Sequence, residues 1–100
     1  MCASAKHQRE DATMTVQWRK TLKYMRKQDR RPNSAADKRP SYSDTLLASQ
    51  RAWISYRDNQ CAIEGYAARG GSMEPMLIAN CKAKLTAART KALAGLIEGN

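Results

Sequence analysis

Three cysteines, one histidine and a run of basic side chains are the residues of this 100-residue chain with reactive or binding chemistry. A metal site built on histidine, or a nucleophile–base–acid relay, needs companions that a lone His7 does not have. No metal and no cofactor is expected on these grounds, and the residues argue against an enzyme. Ser72 follows Gly70 and Gly71, but the lysine of a phosphate-binding loop is missing, and a helix cap accounts for the serine. Cys61 and Cys81 can form a disulfide if the fold brings them level. Cys2 is then left over, and its pairing is open.

The net charge is +9, and it is uneven. Residues 1–40 hold eleven Lys and Arg against four acids, whereas residues 41–100 hold seven against five. Arg19, Lys23, Arg26, Lys27, Arg30 and Arg31 are candidates for binding an anionic polymer. Such binding is non-specific and weakens steeply with salt. Zinc-finger spacing and aromatic RNA-recognition motifs are both missing, so nucleic acid is a disfavoured partner.

Helices must position all of these groups. No strand-like alternation appears, and only 6% of the residues are aromatic, none of them Phe. The spacing predicts a helix over 3–29, with Met14, Trp18, Leu22 and Met25 as its apolar stripe and Asp11 and Thr15 on the same line. Arg31-Pro32-Asn33-Ser34 stops it. Residues 30–41 read as a basic, flexible loop. A second helix is predicted over 42–68, capped by Ser41 or Ser43, with Asp44 in its first turn. Leu47, Ile54, Cys61 and Ala68 repeat every seven residues along it, flanked by Leu46 and Trp53. Gly70 and Gly71 end it, Ser72 is placed to cap the next helix, and Pro75 lies in that helix's first turn. The third helix is predicted over 73–98, with Leu77, Cys81, Leu85, Ala88, Ala92 and Leu96 as its stripe. The expected fold is a single all-α domain, an up-down-up three-helix bundle.

In a hairpin turning at residues 70–72, Cys61 and Cys81 lie ten residues either side of Gly71. They come level, and both lie on stripes expected to face each other. A disulfide stapling the hairpin is therefore predicted. The alternative is a pair of reduced core cysteines in a cytosolic helix pair. A disulfide implies folding in an oxidising compartment.

Leu46, Leu47, Ala48, Ser49, Gln50, Arg51, Ala52, Trp53, Tyr56, Arg57, Asp58 and Cys61 form a block that resembles the central signature of the lysozyme-inhibitor LprI-like N-terminal domain family. Gly70, Gly71, Ser72, Pro75 and Met76 resemble its second block. Cys81, Leu85, Thr86, Arg89 and Thr90 resemble its third. Cys2, Ala3, Asp11 and Met14 resemble its N-terminus, with Thr15 where Asn is usual and Trp18 where Tyr is usual. Many members carry a further cysteine before the one resembling Cys2, and it has no counterpart in these residues. The resemblance implies a small, exported, disulfide-bonded bacterial helical protein, secreted or periplasmic. One branch of the family is associated with inhibition of lysozyme.

Two readings of the motif side chains follow. Gln50, Arg57 and Asp58 either build the scaffold, with Arg57 in a buried ion pair to Asp11, or form a partner-binding surface. The scaffold reading is preferred, because Gln50 and Arg57 lie on the side facing other helices. Trp18, Trp53 and Tyr56 are expected to be packing mass rather than a ligand cage. The expected function is non-enzymatic binding of a protein, lysozyme or another envelope enzyme. The alternative is an envelope-associated structural domain, or a binder of an anionic polymer or nucleic acid through the basic segment Arg19–Arg39.

Overall fold

The computed structural model describes residues 3–32, 34 and 36–98, and Cys2 lies outside them. Helix α1 covers Ala3–Asp29, α2 covers Tyr42–Gly65, and α3 covers Glu74–Glu98. Tyr66–Ala68 continue α2 as a single 3-10 turn. The described residues contain no strand. Side-chain contacts fix the directions. Met14 and Asp11 of α1 meet Gln50 and Arg57 of α2, so these two run antiparallel. Thr21 of α1 bonds Leu93 of α3, while Arg57 bonds Thr86. The order is thus up, down, up, as the stripes and the glycine turn predict. The bundle is 56 Å along its main axis, and its radius of gyration of 16.6 Å exceeds the ~13 Å of a compact 100-residue globule. The molecule is a rod.

Each boundary has a local cause. Ser41 is the cap of α2: its backbone is extended and its hydroxyl accepts the Asp44 N–H at 3.0 Å. Asp29, the last residue of α1, reaches across to the same helix start. It accepts the Tyr42 N–H at 2.7 Å, the Ser43 N–H at 3.1 Å and the Ser43 hydroxyl at 2.6 Å. The Ser43 hydroxyl above all holds this carboxyl below its ordinary range. One carboxylate therefore closes the connection between α1 and α2 and satisfies orphan donors of α2. At the other end Gly70 has a φ of 81°, the left-handed conformation that glycine adopts at least cost. Ser72 makes no side-chain hydrogen bond among the described residues. The Glu74 carboxylate reaches back instead and takes the Gly70 N–H at 3.1 Å.

The apolar core lies in the half of the rod near the α1–α2 connection. Met14, Met25, Leu46 and Leu93 are buried there, with Trp18, Leu22, Tyr24 and Trp53 packed against them. This corrects both hairpin stripes. On α2 the buried line is Leu46, Gln50, Cys61 and Gly65, whereas Leu47 and Ile54 are 37% and 40% exposed. A strict seven-residue repeat drifts about 20° per heptad on a straight helix, so that line slides off the contact. On α3 the buried residues are Cys81, Ala83, Thr86 and Leu93, and Leu96 is 47% exposed. Helix α1 packs mainly on α3 rather than on α2. Ala83 and Thr86 are fully buried on α3, as is Thr21 on α1. Thr21 donates its hydroxyl to the Leu93 carbonyl at 3.0 Å, which satisfies it in the core.

The opposite half of the rod buries little apolar bulk. Cys61 and Cys81 are joined there by a disulfide with their Cα atoms 5.4 Å apart. Gly65 lies beyond it, where a Cβ would come 2.7 Å from Cγ1 of Ile78. The close approach of α2 and α3 at this end requires glycine. Glycine inside a helical pattern was the available sequence signal for it.

Reduction should cost the fold stability, because the bridge closes a loop of 20 residues. The chain-entropy model gives about 3 kcal/mol for such a loop. Urea unfolding of wild type with and without reductant, beside a Cys61→Ser/Cys81→Ser variant, should show a matched loss. An unchanged midpoint would contradict this role.

Candidate functional site

Between the apolar half and the disulfide lies a tier of polar motif residues. Arg57 enters it from α2 with only 11% of its side chain exposed. Its Nη1 donates to the Thr86 hydroxyl at 3.3 Å, and its guanidinium lies 5.1 Å from the Trp53 ring centroid. The nearest carboxylate is that of its own neighbour. Nε and Nη2 both reach Asp58 Oδ1 at 3.0 Å. Asp11 stands off at 3.8 Å and is half exposed, as is Asp58, to which Lys82 also comes within 3.8 Å. The expected pair of Asp11 and Arg57 thus exists as a loose contact in which only the cation is buried. Two wet carboxylates on the rim balance one nearly buried guanidinium. Helical spacing does not predict the contact with Asp58, because adjacent positions on a helix do not share a face. A long arginine bending back along its own helix overcomes that.

A second guanidinium occupies the same seam. Arg89 comes from α3. Its Nε donates to Gln50 Oε1 at 2.9 Å and its Nη2 to the Ser49 hydroxyl at 3.0 Å. Its carbon centre lies 5.8 Å from the Trp53 ring, so both arginines border one indole. Burial pulls the Arg89 guanidinium below its ordinary range, although an arginine stays charged. Gln50, 8% exposed, also places its amide against the Met14 sulfur at 3.7 Å. The motif residues Gln50, Trp53, Arg57, Asp58, Thr86 and Arg89 are therefore gathered into one tier. Leu85 lies half-buried beside it. Tyr56 is 56% exposed and is not packing mass. Gly70, Gly71, Ser72 and Pro75 are at the far tip and take no part.

His7 borders the tier from α1. Its Nδ1 is buried without a hydrogen-bond partner. Burial, then the Arg57 cation, lowers its pKa from the ordinary 6.5, and Asp11 offsets part of this. Among the described residues no group of His, Cys, Asp and Glu could hold a metal ion. Arg19, Lys23, Arg26, Lys27, Arg30 and Arg31 are all exposed, and none forms an ion pair among the described residues. In the connection, Arg39 pairs with Asp37. Two of the surface clefts border motif residues. One, of about 850 Å³, lies at the connection end between Met25, Leu46, Ser49, Tyr42 and Leu96. The other, of about 320 Å³, lies between α1 and α2 over Trp18, Leu47 and Ile54.

A family model described as lysozyme inhibitor LprI matches residues 1–93. An uncharacterized protein of Rhizobium meliloti is 39% identical over 98 residues, a stretch that is 98% of this chain and 70% of the relative. No solved structure matches.

Two measurements probe the tier. Arg57→Leu should destabilise by about 1–3 kcal/mol, chiefly by leaving the buried Thr86 hydroxyl without its partner. Asp11→Asn should cost less than about 1 kcal/mol, as befits an exposed ion pair. Equal losses in thermal unfolding would restore Asp11 as the main partner. His7 tests the electrostatics. Its folded pKa lies below its unfolded value, so the unfolded chain takes up the proton first as pH falls. Stability should drop as pH passes down through about 6.5 and level off once the folded histidine also protonates. His7→Gln should flatten that slope, and an identical pH profile in the variant would rule the histidine out.

Proposed function

This chain belongs to the lysozyme inhibitor LprI family, and we propose that it is an exported, non-enzymatic helical domain that acts by binding another protein. The partner is a lysozyme or another enzyme of the cell envelope. The observation that carries this reading is the engagement of the motif side chains with one another. Arg57 is held on Asp58 and Thr86, and Arg89 on Gln50 and Ser49. These contacts stiffen a scaffold. A disulfide-stapled rod offers a preformed surface that loses little entropy on docking. The disulfide and the family's inhibitory role both favour action outside the cytoplasm. No helix among the described residues is long and apolar enough to cross a membrane.

Charge limits how such an inhibitor works. A chain of net charge +9 is repelled at long range by a lysozyme that is itself basic, which lowers the on-rate. The attraction must be local. A basic side chain presented to the paired carboxylates of the glycosidase cleft supplies it.

The six exposed and unpaired cations of α1 and the following turn favour a second reading, in which the domain holds an anionic envelope polymer. Lysozyme assays with increasing amounts of this protein separate the two. On the leading reading, lysis falls to a plateau at stoichiometric ratio. With a basic lysozyme, inhibition strengthens as salt rises from low to physiological levels, because screening removes the repulsion. Lysis rates unchanged across common lysozyme types would contradict it. Salt-sensitive retention on heparin would then support the polymer reading.

A further inference from the structure

The seam of α2 and α3 has a side turned away from α1. On α2, Tyr42, Ser49, Tyr56 and Ile63 recur every seven residues and so share a face. Tyr42, Tyr56 and Ile63 are 51%, 56% and 57% exposed. On α3, Leu85, Ala92 and Leu96 lie on the same face as Arg89, and Leu96 is 47% exposed. The hydrogen bond from Arg89 to Ser49 joins the two stripes at their middle, with Trp53 beside it. Large apolar side chains spaced along one face, rather than scattered singly, mark an interaction surface.

The charge at its centre indicates what covers it. Arg57 has two carboxylates near it, whereas Arg89 has none within ion-pairing distance among the described residues. Its hydrogen bonds go to neutral oxygens of Gln50 and Ser49, which leave Nη1 uncommitted. Ser49 also lines the cleft of about 850 Å³ at the connection end, whose walls include Leu46, Leu96, Met25 of α1 and Asp37, already paired with Arg39. A half-buried arginine with no carboxylate partner among the described residues, on a face that also carries exposed apolar side chains, is complementary to a carboxylate set in apolar surroundings. A second copy of this +9 chain is a poorer fit, because it would bring a second excess of cations to the face.

We propose that the α2/α3 face centred on Arg89 and Trp53 is the docking surface for a protein partner, and that Arg89 receives a carboxylate which that partner presents from an apolar surface. The proposal deepens the reading of this chain as a protein-binding inhibitor and rests on it. Both arginines stiffen the scaffold, and Arg89 is in addition the residue that meets the partner. The six surface cations of α1 and the following turn have no part in it.

Two arms test it separately from the identity of the partner. In the first, the full chain is titrated with benzoate while the Arg89 Nε–Hε and Trp53 indole N–H resonances are followed by NMR. Both should shift saturably at millimolar benzoate, with no such response to benzyl alcohol. No saturable shift, or an equal response to inorganic phosphate, would overturn the carboxylate assignment. In the second arm, binding to a common lysozyme is compared for wild type, Arg89→Met, Leu96→Glu and Arg19→Ala. Arg89→Met should weaken binding on the order of thirtyfold. Leu96→Glu, at an exposed position that leaves the tier intact, should weaken it about tenfold, and Arg19→Ala should not weaken it. Wild-type affinity in both Arg89→Met and Leu96→Glu would overturn the surface while leaving lysozyme as the partner. If wild type does not bind lysozyme, that partner falls and the benzoate arm decides the site. Sedimentation showing a dimer that Leu96→Glu abolishes would assign the face to a second copy and overturn the proposal.

Discussion

The register of α2 against α3 is the constraint on which the rest of this structure depends. Toward the disulfide end the two helices bury little apolar bulk along their seam. A covalent bond sets their relative height at one end, and polar rungs maintain it below. Cys61–Cys81 fixes the level, and Gly65 lets the backbones close up against Ile78. Arg57 to Thr86 and Arg89 to Gln50 and Ser49 then tie the helices at successive turns. A slip of one residue would rotate these partners by about 100° and separate all of them. Helix α1 completes the bundle by packing on α3, and Asp29 locks its end to the start of α2.

This division of labour explains an odd feature of the chain. The signature that identifies its family is polar, yet it lies in a helix interface. The hydrophobic effect is non-directional and tolerates slips between similar side chains. Hydrogen bonds from a planar, many-donor guanidinium are directional and specify one register. A small domain with no Phe gains specificity from such groups, at the cost of partly desolvating two cations. One cation recovers that cost through Asp58 and Asp11. The other has no carboxylate within ion-pairing distance among the described residues and bonds the neutral oxygens of Gln50 and Ser49 instead.

Much of the architecture was legible in the sequence. Helix ends followed from Ser41, Gly70 and the prolines, and the antiparallel hairpin followed from its short turn. Level positions gave the disulfide. The buried faces were less legible. Spacing places Cys61 and Cys81 at the right interface, but it also marks Leu47, Ile54, Ala88, Ala92 and Leu96 as core, because apolar periodicity marks a face without saying which neighbour covers it. Helix α3 presents two usable faces, and α1 covers the one made of Ala83, Thr86 and Leu93. Small residues and threonines carry weak hydropathy signals, so the true contact was hidden by the stronger stripe beside it. Asp29 and Gly65 act through contacts remote in sequence, and no local pattern announces those. The gathering of Arg57 and Arg89 around Trp53 needed three dimensions, since 32 residues separate the two arginines.

Hydrogen exchange on the oxidised and reduced protein tests the central claim most directly. If the staple and the polar rungs set the hairpin register, reduction should strip protection first from amides of residues 57–65 and 78–86. The apolar half around Met14, Met25, Leu46 and Leu93 should keep its protection under the same conditions. Uniform loss across all three helices, or no change near the disulfide, would show that the register is held by the core alone and would contradict the account.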